Sequence, residues 1–309
     1  MIKYLYQSIR STELQQLDDF QRGTWVYVEA PTPDEIEQLT KRFKLEPGHL
    51  EDAADEDEMP RLEREGEQTY IFVRFAYRTA GGDMETAPLL IIFGGEYVIT
   101  VSQVHLPALD FLSKSREGFA TTQRAKLVLL ILSHISDQYD SFINKISRQI
   151  KAIRSRLRGQ GITNKDLIDF VTIEDDLNEF LASLQPTNAA LRRLLVNRQL
   201  PLFEEDQDLV EDLLLNNEQS IEAIRSNLRS VSNIRDAYSA ISSNNLNQTI
   251  TILTLATILV ALPNVFFGMY GMNVQLPFQH NALAFPFIAG INVVLIVSIV
   301  LFARKKRIF

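Results

Sequence analysis

Two long apolar stretches close the chain and dominate its pattern of polar and apolar positions. No Asp, Glu, Lys or Arg occurs in residues 237–303, and the two stretches are Thr249–Met272 and Ala282–Ala303. At about 1.5 Å of rise per residue, either stretch as a helix would span the roughly 30 Å hydrocarbon core of a bilayer. The sequence therefore predicts two transmembrane helices, at about 249–272 and at 282–303, joined by a polar loop at 273–281.

Basic residues flank the two spans on one side only. Four of them lie in the tail at 304–309, three precede the first span at Arg225, Arg229 and Arg235, and the loop has none. Because Lys and Arg collect on the cytoplasmic side of a membrane, this asymmetry predicts cytoplasmic N- and C-termini and an extracellular loop. The sequence thus predicts a multi-pass protein of the cell membrane, surrounded by lipid, with a large cytoplasmic domain before the first span.

The first span carries small and polar residues at steps of three and four. They form one helical stripe, which we call the polar stripe and which consists of Asn247, Thr254, Thr257, Ala261, Asn264 and Gly268. Such a stripe is typical of close packing between membrane helices, and it equally fits the wall of a pore built from several copies of the helix. An amide at membrane depth needs a partner or water, so Asn264 favours the pore. Pro263 removes one helix hydrogen bond and predicts a bend.

Residues 1–118 alternate strand and helix signals and predict an α/β domain with a small sheet covered by helices. Short apolar runs predict strands at 25–28, 70–77, 89–93 and 97–101, with Gly94-Gly95 as the turn between the last two. Thr32, Pro33 and Glu35 form a strong helix start, and that helix should continue to about Phe43. A short helix is also predicted at 106–114.

Residues 119–200 predict an antiparallel helical hairpin. Apolar residues recur at helical spacing over 125–157, Gly159-Gln160-Gly161 interrupts the pattern, and a second helix follows over 163–196. From Pro201 no residue forces a helix to stop before Gly271, so 201–272 predict one stalk helix that continues into the first span, on the order of 105 Å long at about 1.5 Å per residue. The fold class is therefore α+β, followed by long helices and two C-terminal transmembrane helices.

Composition excludes several classes of function. The 309 residues carry a net charge of −8 and no Cys, which argues against nucleic-acid binding and against thiolate metal sites. Neither an HExxH motif nor a P-loop is present, so we predict no enzyme activity and no organic cofactor. Residues 51–58 include six acids, which form either a solvated surface or a sensor of divalent cations, although their spacing is not that of an EF-hand.

A short motif ends the first span. Tyr270-Gly271-Met272-Asn273, followed by a loop, a second span and a basic tail, resembles the CorA family of magnesium transporters. Leu50-Glu51-Asp52 and Met59-Pro60-Arg61-Leu62-Glu63 resemble an N-terminal segment of that family more loosely, because Arg61-Leu62 stands where the family usually has Arg-Pro-Lys. The resemblance extends over most of the chain.

The resemblance implies a homopentameric funnel in which the first span lines a central pore. Tyr270, Gly271, Met272 and Asn273 would form the selective outer end of the pore, with one Asn273 from each subunit in a ring. The pore-lining residues would be Asn247, Ile250, Leu253, Thr254, Thr257, Ala261, Asn264 and Gly268, with Ile250 and Leu253 as an apolar gate. The implied function is an influx of Mg²⁺ driven by the membrane potential, with Co²⁺ and Ni²⁺ as secondary ions.

The resemblance also implies feedback by cytoplasmic Mg²⁺. In the family, carboxylates between subunits bind regulatory magnesium and hold the pore shut, and the candidates by position are Asp83, Glu85 and Asp212. The outer loop departs from many relatives because residues 274–281 contain no acid. Ion entry would then depend on Asn273 and backbone carbonyls.

Two other hypotheses stay open. Zinc transporters of the same superfamily usually vary the Gly-Met-Asn motif, so the retained Met272 favours magnesium. A membrane-anchored helical scaffold or sensor that conducts nothing would need neither the polar stripe nor Asn273.

Overall fold

The computed structural model describes residues 1–11, 13–114, 119–159, 163–196, 200–274, 276–277, 281 and 283–305. The chain folds into two compact units, Met1–Asn233 and Ile234–Phe309, which we call the N-terminal unit and the C-terminal unit. The predicted helix break at Gln160-Gly161 and the basic residues Lys306 and Arg307 lie outside the described residues, as does part of the outer loop.

A seven-stranded sheet forms the centre of the N-terminal unit. Its strands are β1 (Ile2–Tyr6), β2 (Gln15–Leu17), β3 (Thr24–Glu29), β4 (Arg61–Glu65), β5 (Gln68–Arg78), β6 (Met84–Phe93) and β7 (Tyr97–Ser102), in the order β2-β1-β3-β7-β6-β5-β4. Strands β3 and β7 pair in parallel and the other neighbours are antiparallel. The central strands are apolar on both faces because helices cover both, whereas the edge strands β2 and β4 are rich in polar and charged residues.

Two helices, α1 (Pro33–Phe43) and α2 (Pro47–Asp52), cover one face of the sheet. Leu39 of α1 and Leu50 of α2 are buried in a core with Val26, Phe72 and Leu90. Helix α1 begins in a capping box, in which the Thr32 side chain accepts a hydrogen bond from the Glu35 amide and the Glu35 carboxylate accepts one from the Thr32 amide. The predicted start and end of this helix are confirmed.

Three helices cover the other face. They are α3 (Pro107–Lys114), α4 (Arg124–Gly159) and α5 (Asn164–Val196), and α4 and α5 lie against β5 and β6. Polar contacts fix both long helices to the sheet: the Tyr139 hydroxyl donates to the Arg74 carbonyl at 3.1 Å, and Thr86 donates its amide and its hydroxyl to Glu179 at 2.8 and 2.6 Å.

The last two helices are α6 (Glu204–Tyr270) and α7 (Ala284–Lys305). Within the N-terminal unit, α6 is joined to α4 by hydrogen bonds from Ser136 to Asn217 and from Asn227 to Ser147, both 2.8 Å long. Helix α6 continues without interruption through Pro263. A single helix from the stalk region into the first span, as the sequence predicts, is therefore present.

The structure extends the predicted set of elements. The strands predicted at 25–28, 70–77, 89–93 and 97–101 lie within β3, β5, β6 and β7, and Gly94 closes the predicted hairpin with a 3.1 Å bond from its amide to the Tyr97 carbonyl. Sequence analysis missed β1, β2, β4 and α2, which are short or carry several charges. It also gave no sign of the parallel pairing between β3 and β7.

Candidate functional site

The Tyr270–Asn273 motif forms the end of helix α6. After Tyr270 the amide of Gly271 still donates to the Phe267 carbonyl at 3.0 Å, and the amide of Met272 donates to the Met269 carbonyl at 3.2 Å. These bonds satisfy carbonyls that a helix end otherwise leaves without partners. Asn273 follows directly and its side chain is exposed, so the fold delivers an amide at the end of the first span.

Two further contacts define this helix end. The Tyr270 hydroxyl donates to the Pro277 carbonyl at 3.0 Å and so ties the loop to the helix. A Cβ atom at Gly271 would lie 3.3 Å from the Phe267 carbonyl oxygen and 3.4 Å from that of Gly268. Such contacts are tighter than those of most side chains, so a larger residue here would require a small shift of the helix end.

One face of α6 packs against α7 inside the C-terminal unit. The half-buried residues of α6 in the span recur at helical spacing, and we call them the packing face: Leu255, Leu259, Leu262, Pro263, Phe266 and Tyr270. On α7, Ile288 and Asn292 are buried on one face. The rings of Phe267 and Phe285 are stacked 6.2 Å apart and join the loop ends of the two helices.

The polar stripe lies on the opposite side of α6 from the packing face. At about 100° of rotation per residue, the mean directions of the two rows differ by roughly 160°. Every predicted pore-lining side chain is exposed: Asn247, Ile250, Leu253, Thr254, Thr257, Ala261, Asn264 and Gly268. Within the described part of one chain, the polar stripe is therefore not the seam between the two spans.

The threonines of α6 orient their hydroxyl groups in a uniform way. Thr254 and Thr257 donate to the carbonyls of Ile250 and Leu253, at 2.8 and 2.9 Å. Thr249 and Thr251 make the same bond one turn back along the helix. Because each hydroxyl hydrogen is used within the helix, the oxygen lone pairs are left to accept hydrogen bonds from outside. The exposed face is thus rich in acceptors.

Among the three acids suggested by position, Asp83 and Glu85 lie in the β5–β6 hairpin. Asp83 is exposed in the turn and borders a cavity of about 570 Å³ with Asp169 and Asp176 of α5. Burial, followed by the charges of Glu179, Asp175 and Asp83, raises the pKa of Asp176 to about 6. Asp176 was not among the predicted residues, because only the fold brings α5 to this turn.

Glu85 and Asp212 have different surroundings. The Glu85 carboxylate accepts a 2.8 Å hydrogen bond from Tyr77, and burial followed by this bond raises the pKa of Tyr77 to about 12. Asp212 is exposed on α6 and makes no hydrogen bond or ion pair with Asp83 or Glu85 among the described residues. In that same part of the chain, no group of three or more His, Asp or Glu side chains is arranged to hold a metal ion.

The acidic segment at 51–58 is held by one arginine. Arg61 forms ion pairs with Asp52 and Glu63, both at 2.5 Å, and with Glu58. Its guanidinium lies 3.9 Å from the centre of the Phe72 ring. These contacts give Asp52 and Glu58 a structural role, which neither of the two interpretations offered above for the segment describes.

The architecture defines a class of protein. Helices α6 and α7 each contain a segment that is long and apolar enough to cross a membrane. A sheet-and-helix unit continued by such helices, one of them with an exposed row of hydroxyl and amide groups, is typical of a membrane transport protein.

Comparison with known proteins identifies the family. The model of the CorA-like Mg²⁺ transporter protein family matches residues 20–307, and the chain belongs to this family. The cobalt/magnesium transport protein CorA of Methanocaldococcus jannaschii is 25% identical over 296 residues, which are 92% of this chain and 91% of that protein. The magnesium transport protein CorA of Wolinella succinogenes is 21% identical over 92% and 90% of the two chains.

A solved structure shows the same fold. The complete CorA magnesium transporter from M. jannaschii superposes with a TM-score of 0.85 at 22% identity, covering 99% of this chain and 98% of that chain. The architecture of an α/β domain, long helices and two C-terminal spans is therefore established.

Proposed function

We propose that the protein is a channel-type transporter that admits Mg²⁺ into the cell, with Co²⁺ and Ni²⁺ as secondary ions. The observation that carries this proposal is the exposure of the polar stripe on the side of α6 opposite the packing face. A face of amide and hydroxyl oxygens needs water or polar partners at membrane depth. Membership of the CorA-like family supports magnesium as the ion.

The pore requires several subunits. Two spans in one chain cannot enclose an ion path, whereas copies of α6 arranged with their polar stripes inward would do so. Following the family resemblance, the assembly is a homopentamer with the N-terminal unit and both termini in the cytoplasm. Each Asn273 then contributes one amide to a ring at the outer mouth.

The chemistry of the stripe suits a hydrated magnesium ion. Mg²⁺ gives up its water ligands reluctantly, and those waters are strong hydrogen-bond donors. Threonine oxygens whose hydrogens are bound to Ile250 and Leu253 carbonyls, and the carbonyl oxygen of Asn264, are acceptors for these waters. The pore would pass the ion with its waters in place and needs no charged ligand.

Three features control the flow of ions: an apolar gate, the membrane potential and a set of regulatory acids. Ile250 and Leu253, which are exposed in one chain, would form an apolar ring that closes by losing its water. The membrane potential supplies the driving force, about 4.6 kcal/mol for a divalent ion at 100 mV, from about 2.3 per unit charge. Asp83, Glu85 and Asp212 are the proposed regulatory acids. Asp176 joins them because it borders the same cavity as Asp83, whose charge contributes to the raised pKa of Asp176.

Single cysteines test the proposal, because the chain has none of its own. Thr257→Cys and Asn264→Cys should react with a charged, water-soluble thiol reagent in membranes, and the reaction should block Mg²⁺ uptake. Ala256→Cys, an exposed position about 130° around the helix from the polar stripe, and Leu259→Cys, on the packing face, are the matched controls and should stay unlabelled. Equal labelling at all four positions, or none at Thr257 and Asn264, would contradict a water-filled pore on this face.

A further inference from the structure

The second span contains one buried amide whose role the pore does not explain. Asn292 lies in the apolar helix α7 and is 4% exposed. Its Nδ2 donates to the Ile288 carbonyl of its own helix at 3.0 Å, but its Oδ1 has no hydrogen-bond partner among the described residues. An unpaired polar atom in hydrocarbon is unfavourable. The position therefore calls for a donor that the side chains around it do not supply.

The stacked rings of Phe267 and Phe285 show which residues of α6 lie beside Asn292. Asn292 lies seven residues after Phe285, or about 10 Å along α7 at about 1.5 Å per residue. The same distance back along the antiparallel α6 reaches Val260. Asn292 is thus within one turn of Leu259 and Pro263, which are both half-buried in α6.

Pro263 creates a second acceptor at this level. Proline has no amide hydrogen, so the Leu259 carbonyl, four residues earlier, lacks the donor that a regular helix provides. The Asn292 Oδ1 and the Leu259 oxygen are both acceptors and cannot bond to each other. A water molecule has two hydrogens and can donate one to each, which is a common way to satisfy backbone groups freed by proline in membrane helices.

We propose that one buried water bridges Asn292 Oδ1 and the Leu259 carbonyl, and that this site supports the first span where Pro263 removes a helix hydrogen bond, beside Asn264. Asn292 acts through α6 and is a positioning residue. The water site stands independently of the proposed function, and only its consequence for uptake rests on that function. Asn264 of the polar stripe directly follows Pro263, so support of the helix at Pro263 also holds Asn264 in position.

A double-mutant cycle tests the site, because Asn292→Leu should change the thermal midpoint in opposite directions in two backgrounds. In the wild-type background, Asn292→Leu should lower the thermal midpoint of the protein, because it removes the water and leaves the Leu259 carbonyl unsatisfied. In the Pro263→Ala background, that carbonyl regains its helix donor, and Asn292→Leu should raise the midpoint by removing a lone buried acceptor. Ser298→Ala removes an exposed hydroxyl that donates to the Val294 carbonyl, and its effect should be the same in both backgrounds.

The outcomes separate the possible roles of Asn292. A higher midpoint with Asn292→Leu in both backgrounds would mean that the amide is simply unsatisfied, and a lower midpoint in both would mean that it acts through packing; either result overturns the proposal. Asn292→Ser, which is smaller, gives the same comparison if the leucine variant does not fold. A reversal of sign without any Mg²⁺ uptake would support the water site and reject the transport function. If the protein transports Mg²⁺, Asn292→Leu should lower uptake about threefold, which is the order of effect expected from the loss of one hydrogen bond.

Discussion

At the scale of single residues, Arg61 shows how a sequence motif becomes a structural element. Its guanidinium holds carboxylates from α2, from the loop after α2 and from β4, the strand that Arg61 itself begins. The Glu51–Asp52 and Pro60–Glu63 segments were recognisable in the sequence as parts of a family pattern. Their shared dependence on one arginine was not, because the pairing needs the turn between α2 and β4.

Replacing Arg61 should weaken the N-terminal unit. Arg61→Ala leaves Asp52, Glu58 and Glu63 close together without their cation and exposes the face of Phe72. Since these groups are partly exposed, we expect a loss of about 1–2 kcal/mol in the free energy of unfolding, measured by denaturant titration. Arg61→Lys keeps the charge without the planar fork and should recover only part of the loss. No change in stability with alanine would show that the network is merely solvated.

His105 gives the N-terminal unit a pH-dependent contact. Its ring nitrogens pair with Glu29 at 2.9 Å and with Asp110 at 3.1 Å. Burial alone would lower the pKa of His105, but hydrogen bonds to both carboxylates outweigh it and the pKa is raised. The stabilisation that a raised folded-state pKa provides is fully present below the unfolded-state pKa of about 6.5. It is lost as the pH rises through the folded-state pKa.

The prediction is that stability falls as the pH rises above neutrality. Unfolding free energies measured from pH 5.5 to 9 should decrease once the pH rises above about 6.5, and His105→Gln should remove that decrease. His134 stacks on Phe111, makes no ion pair among the described residues, and has a pKa lowered by burial. His134→Gln is therefore the matched control and should leave the decrease above neutrality in place. An unchanged pH profile in the His105 variant would assign the dependence to other groups.

At the scale of elements, the sequence predicted the structural features that depend on residues close together in the chain. The capping box at Thr32, the Gly94 hairpin and the uninterrupted helix α6 all follow from residues near each other in the chain. Strand β4 was missed because four of its five residues are charged, and its place at the sheet edge explains that composition. Asp176 was missed because its neighbour Asp83 is ninety-three residues away, a distance that only the fold closes.

Gly268 tests the role of the exposed face of α6. A Cβ atom at this position would meet nothing within 4 Å among the described residues, apart from the backbone of its own helix and its chain neighbours, so one chain should tolerate a side chain there. If copies of α6 approach each other along the polar stripe, Gly268→Leu should abolish uptake and weaken the oligomer. Gly290→Leu is the control, because Gly290 of the second span is equally unobstructed and should accept the change. Similar effects of both variants, measured by native mass spectrometry and uptake, would contradict the arrangement.

At the scale of the whole molecule, regulation should depend on acids that only an assembly can bring together. Asp212 is exposed and makes no hydrogen bond or ion pair with Asp83 among the described residues of one chain. In the proposed pentamer, Asp212→Ala should remove part of the inhibition by internal Mg²⁺ and raise basal uptake. Asp208→Ala, one helical turn earlier and also exposed, is the control. Unchanged inhibition in the Asp212 variant would remove this residue from the regulatory set.

The central claim of the account is that α6 conducts magnesium, and it rests on the exposed oxygens of this helix and on the amide at its end. Uptake of Mg²⁺ into proteoliposomes with an imposed inside-negative potential tests it most directly, with wild type compared with Asn273→Ala. Asn281→Ala removes the other described loop amide, whose Oδ1 accepts from the Leu283 amide at 3.0 Å, and serves as the control. We predict rapid uptake by the wild type and the Asn281 variant and at least a tenfold loss, or about 1.4 kcal/mol, in the Asn273 variant. Uptake by the Asn273 variant at the wild-type rate, or none by folded and oligomeric wild type, would contradict the account.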